Sequence, residues 1–183
     1  MFTNQNHNYA HGDIVAGNKH VTFSGDGCLP ELKRLYEKLR SDGIGDPSTG
    51  FSEDLQHYLT AKTDGDVRGL AEKLSESNRL DQLDLATELK EKATKAIMKR
   101  QMSRTAQRVY SIVLDEIHAG YSLRVSPLIE SDCSRIEVDA QVIALLKEIS
   151  SLLGENSLEI SVKDLLGLLY FLGGNCHIRW DKC

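Results

Sequence analysis

Ser134-Arg135-Ile136-Glu137-Val138-Asp139-Ala140-Gln141-Val142-Ile143-Ala144-Leu145-Leu146-Lys147-Glu148-Ile149-Ser150-Ser151-Leu152-Leu153-Gly154 contains a helix with its start, its buried face and its stop all written out. Ser134 followed three residues later by Glu137 is a capping box, in which each side chain satisfies a backbone N–H of the first turn. Val138, Val142, Leu145, Leu146, Ile149 and Leu153 recur at helical spacing and make one apolar face. Gly154 then offers the left-handed conformation at which helices commonly end. The same grammar repeats on either side. Ser161 with Asp164 opens a very apolar helix through Val162, Leu165, Leu166, Leu169 and Leu172, which Gly173-Gly174 is expected to end. Upstream, Pro30 precedes a stripe of Leu32, Leu35, Tyr36 and Leu39. Phe51, Leu55, Tyr58 and Leu59 form a second stripe, and Val67, Leu70, Ala71 and Leu74 a third. A long helix from about Asn78 to Met102 carries Leu83, Ala86, Leu89, Ala93 and Ile97. Ser103 caps another, with Ala106, Val109, Tyr110, Val113 and Ile117, that Gly120 is expected to stop. Tyr121–Ile129 reads as extended, because Pro127 biases Ser126 away from helix. The only tryptophan, Trp180, is expected to anchor the end of the chain in the bundle.

Residues 1–28 read differently. They are rich in Asn, Gly and His, and Gly12-Asp13 and Gly17-Asn18 are turn dipeptides between the β-formers Ile14-Val15 and Val21-Thr22-Phe23. The expected fold is therefore mainly α: a compact bundle of about seven helices over 29–183, with a short β-rich segment over 1–28. Such short strands are marginal alone and invite pairing, so Gly12, Asp13, Ile14, Val15, Gly17 and Asn18 are candidate self-assembly residues of a homo-oligomer. The spacing from Gly12 to Gly17 and Lys19 resembles a phosphate loop only loosely. Lys19 comes one residue late, and His20 stands where a hydroxyl should hold magnesium.

The 183 residues, 40% apolar and 27% charged, fit a globular chain with a real core rather than a disordered one. No run of roughly 18 apolar residues occurs, so no membrane span is expected. The polar start from Met1 to His7 lacks a signal-peptide core, and the four scattered cysteines read as reduced thiols, both pointing to the cytoplasm. The net charge of -5 argues against a general nucleic-acid binder. One region runs the other way. Glu88 to Arg108 holds seven basic residues against two acidic ones, while the remainder carries a net -10. Lys92, Lys95, Lys99, Arg100 and Arg104 are thus candidates for phosphate or acidic-partner contact. The plainer reading is a solvated helix face with Glu88–Lys92 and Glu91–Lys95 pairs.

Catalytic signals are thin. No G-x-S-x-G elbow is present, and the six histidines have no recognisable nucleophile partner. Asp115 and His118 are read as a surface pair. Adjacent Cys176-His177 with Cys183 make a poor zinc set, since one ion needs three or four well-placed ligands. No metal, cofactor or enzymatic activity is expected.

Taken in order, the segments Gly12-Asp13-Ile14-Val15-Ala16-Gly17-Asn18-Lys19, Leu32-Lys33-Arg34-Leu35-Tyr36-Glu37-Lys38-Leu39, Gly69-Leu70-Ala71-Glu72-Lys73-Leu74, Ser103-Arg104-Thr105-Ala106-Gln107-Arg108-Val109-Tyr110 and Gly167-Leu168-Leu169-Tyr170-Phe171-Leu172-Gly173-Gly174-Asn175-Cys176-His177-Ile178-Arg179-Trp180 carry a family resemblance. The chain resembles the C-terminal domain of effector subunits in bacterial ABC-type three-component conflict systems, which include the Lamassu-like defences against phage and plasmids. Asn175, Cys176, His177, Ile178, Arg179 and Trp180 are its most specific part. The resemblance implies partners rather than a reaction: an SMC-like ABC ATPase and a small middle subunit, to which the domain couples an effector. Met1 stands just before the turn-rich segment, so the effector domain is expected to be missing. The chain is then either a stand-alone adaptor or a piece of a longer subunit. DNA contact, through a partner or through the basic face, is the alternative reading.

Overall fold

A computed structural model describes residues 28–42, 46–62 and 68–181. Their order is α1 (Cys28–Asp42), α2 (Glu53–Leu59), α3 (Leu70–Glu76), α4 (Leu83–Met98), α5 (Arg104–Gly120), α6 (Ser126–Glu130), α7 (Arg135–Leu153) and α8 (Val162–Gly174). A 3-10 turn, Leu80–Gln82, leads into α4, and a π-helical turn, Tyr121–Val125, joins α5 to α6. Because α5, the π turn and α6 follow one another without a break, the eight segments amount to seven rods among the described residues. The molecule is mainly helical, as the stripes require. Among the described residues the extended backbone pairs only at an isolated bridge, Pro47 with Ser103. The β-rich reading of the N-terminus, with Gly12 to Asn18, lies outside the described residues.

α8 is the centre of the core. Leu165 and every residue from Gly167 to Gly173 are buried, so α8 is apolar nearly all round, as expected of an internal helix. Its closest neighbour is α4, whose face of Ala86, Leu89, Ala93 and Ile97 is buried. Small residues set that distance: a Cβ on Gly167 would lie 2.8 Å from the Leu89 carbonyl oxygen. α5 packs against α1, α2, α7 and α8. Both capping boxes form, at Ser134 with Glu137 and at Ser161 with Asp164. Gly154 takes a φ of +54°, which an L side chain rarely adopts, and α7 ends there.

Three sequence expectations are corrected. Gly120 does not stop α5; it has helical angles and the chain runs on. Its role is close approach, since a Cβ there would collide with Leu145 Cδ1 of α7. Tyr121–Ile129 is not extended. Ser126 N–H reaches back five residues to Tyr121 O, widening the helix by one residue. That turn accommodates Pro127, which then sits in the first turn of α6, where a missing N–H costs nothing. Gly173 and Gly174 lie inside α8 rather than beyond it. Trp180 packs against Gly173, where a Cβ would come 2.5 Å from the indole.

Candidate functional site: a C-terminal hook and a charged groove

The chain leaves α8 through a Schellman turn. His177 N–H donates to Leu172 O at 2.9 Å and Cys176 N–H to Gly173 O at 3.3 Å. The residue forced left-handed is Cys176, at φ +62°, where glycine is usual. The reversal drives the last residues back onto the bundle as a hook. Ile178 and Trp180 are buried, and the indole stacks near Tyr170 and Tyr121, with ring centroids 5.7 and 6.1 Å away. Tyr121 Oη donates to Arg179 O at 3.0 Å, and Arg179 itself is exposed. Asn175 Nδ2 donates to Tyr58 O at 2.9 Å, and Lys62 N–H to Asn175 O at 3.1 Å, tying the hook to α2. Asp181 is buried and paired with Arg68 Nη2 at 2.5 Å. Lys73, only 3% exposed, donates to Gly173 O at 2.8 Å. That carbonyl belongs to the last turn of α8, where a cation meets the negative end of the helix dipole.

His177 brings together residues that no spacing in the sequence connects. Its ring centroid lies 5.2 Å from His57, 5.1 Å from Tyr58 and 6.2 Å from His118. Tyr58 Oη donates to Asp115 Oδ1 at 2.7 Å. Asp115 is exposed and His118 half-buried, as a surface pair would be, and both border this aromatic cluster. His57, Tyr58 and His118 lie more than fifty residues from His177 in the chain, so no local pattern announces the contact. His177 Nε2 sits 3.2 Å from Thr60 O, and Nδ1 is buried without a partner. Burial, reinforced by the charge of Lys62, pushes the His177 imidazole down to about 4, so at neutral pH it is uncharged. Burial also lowers His118, with Lys62 adding to it. Tyr58 is raised, first by burial and then by its bond to the Asp115 carboxylate. The cluster therefore holds a neutral imidazole and an intact phenol, groups suited to fixing the hook. Among the described residues, no three His, Cys, Asp or Glu side chains are arranged to hold a metal ion.

The basic residues divide between two surfaces. Lys92, Lys95, Lys99 and Arg100 line a groove of about 700 Å³ between α4 and the stretch leading into α8. Ala96 and Leu158 are half-buried beside them, Ala93 and Leu168 belong to the core beneath, and Glu88, Glu91, Glu159 and Asp164 balance the four cations. Arg104 lies apart, in a smaller recess with Lys38, Asp46 and Asp54. Lys95 pairs with Glu91 at 3.3 Å as the sequence predicts. Lys92 does not pair with Glu88; it reaches Asp164 at 2.7 Å, while Glu88 faces Lys163 at 3.8 Å. The packing of α4 on α8 puts those two partners closer than the helix's own turn does. Lys99 and Arg100 form no ion pair among the described residues. Both stand where α4 gives way to the turn, an end that favours cations.

A family profile described as C-terminal domain 9 of the ABC-three component (ABC-3C) systems matches residues 69–180. The match runs from the cap of α3 to Trp180 in the hook, and so includes α4, α8, their groove and the His177 turn. No curated protein and no solved structure matches the chain.

Proposed function

Because the chain belongs to the C-terminal domain 9 family of ABC-three component systems, we propose that it is a non-catalytic adaptor of an antiphage or antiplasmid complex. Membership implies partners within the same system. In this reading the helical body couples an effector to an SMC-like ABC ATPase and a middle subunit, and Gly12 to Asn18 joins copies of the chain. The observation that carries the reading is the family match over the whole α3-to-hook unit. The chemistry of that unit supports it. Lys73, Arg68, Asp181, His177 and Asn175 are committed to bonds that hold helix ends and the hook in place. Among the described residues no helix is long and apolar enough to cross a membrane.

The test is mass by light scattering, for the chain alone and co-expressed with the other components of its system. A defined complex containing the ATPase is the expected result; a monomer that ignores them would sink the adaptor reading. Ile14→Asp with Val15→Asp should lower the stoichiometry of the chain alone, and an unchanged mass removes the self-assembly role. A second reading, nucleic-acid contact, draws on Lys99 and Arg100, which form no ion pair among the described residues. Steeply salt-dependent DNA affinity would support it, and absent binding would remove it.

A further inference from the structure

We infer that the joint between α2 and the hook is a latch that acid releases, with the His177 imidazole as its catch. The inference stands independently of the adaptor reading.

The bonds across the joint are few. Asn175 Nδ2 donates to Tyr58 O, Lys62 N–H donates to Asn175 O, and His177 Nε2 stands 3.2 Å from Thr60 O. A carbonyl only accepts, so Nε2 carries the ring hydrogen and Nδ1 is the bare nitrogen of a neutral imidazole. Nδ1 is buried and has no hydrogen-bond partner, on a residue only 7% exposed. A proton arriving there makes a buried N–H with nothing to donate to. It also adds a charge among groups of the same sign. His57 and Lys62 approach from the α2 side, and His118 of α5 donates from its ring to the His177 backbone. The carboxylates near the ring do not answer it. Asp115 accepts from Tyr58, and Asp181 is paired with Arg68. Glu130 of α6 and Arg179, which line the cavity that His177 borders, are both exposed and of opposite sign. With the joint closed, burial first and Lys62 second hold the imidazole down, to about 4. A ring that swings out into water regains its ordinary value of 6.5, so protons favour the open joint. α2 has seven residues, and Thr60, Ala61 and Lys62 after it are exposed, so it can part from the hook while α4 and α8 stay packed.

The test is amide hydrogen exchange on the full-length chain from about pH 6.5 down to about pH 5, read as protection factors so that the intrinsic pH dependence of exchange drops out. The Lys62 N–H reports the joint, and the buried Leu168 and Leu169 report the core. Lys62 should be less protected than the core amides at each pH. Its protection should fall at a rate approaching tenfold per pH unit, one proton for each opening. Equal protection of Lys62 and the core at every pH overturns the latch, because only global unfolding then frees the joint. Protection of Lys62 that ignores pH overturns it as well. Two variants tie the slope to the cluster. His177→Gln, which keeps a donor for Thr60 O, should abolish it. Lys62→Gln, at an exposed position, removes a like charge, lets the closed joint take up the proton more readily and should make the slope shallower. A slope left intact by both variants places the titration outside the cluster and sinks the proposal.

Discussion

Cys176 carries the reversal that makes the hook, and does so in a conformation that a side chain with a Cβ resists by roughly 1–2 kcal/mol. Cys176→Gly should therefore raise stability by up to about 1 kcal/mol, read as a higher urea midpoint. A lower midpoint would mean that the thiol, 3.6 Å from Arg68 O, contributes more than the backbone loses. One residue on, His177 gives the fold a pH dependence. Its folded value, about 4, lies below the ordinary 6.5, so the unfolded chain binds the proton more readily. Stability is fully present above about 6.5 and is lost as pH falls toward about 4. Thermal melts at pH 7.5 and pH 5 should show the loss, and His177→Gln, which keeps a donor for Thr60 O, should reduce it. An unchanged difference would place the titration elsewhere, His118 being the nearest group with the same sign. Little of this was legible beforehand. A lone Trp in an apolar stretch announces an anchor, whereas the left-handed turn at a cysteine, and the meeting of His177 with Tyr58 and His118, depend on how distant helices stack.

At the scale of elements, local rules carried far. The stripes of α4, α5 and α7 and both capping boxes follow from residues within one or two turns, so they could be read directly. Ser161→Ala should lower the unfolding free energy by about 1 kcal/mol, because α8 loses the acceptor for Asp164 N–H in its first turn. No effect in a denaturant titration would show that Asp164, also held by Lys92, caps the helix unaided. The stretch at Pro127 was misread for a definite reason. The bias before proline is a preference set by a local clash, and Ser126 takes helical angles against it because the chain runs on from α5 through the π turn. The groove was half visible: the cations announced themselves on α4, but Leu158 and Leu168, its other wall, are set by the pairing of α4 with α8.

For the whole molecule, that pairing is decisive. α8 fills the space between α4 and α5, so a chain cut after Gly154 should leave two apolar helix faces open to water and fail to melt cooperatively. Calorimetry checks this, and a sharp transition in the shortened chain would show that the core closes without α8.

The order of synthesis follows from the same arrangement. α8, which packs against α3, α4, α5 and α7, comes last of the eight. While it is being translated, the preceding helices wait as a sticky nascent chain, their stripes unburied, in the state that draws chaperones and promotes aggregation. A premature stop before α8 then yields a chain without its core helix, a substrate for the cell's proteases rather than a shortened domain.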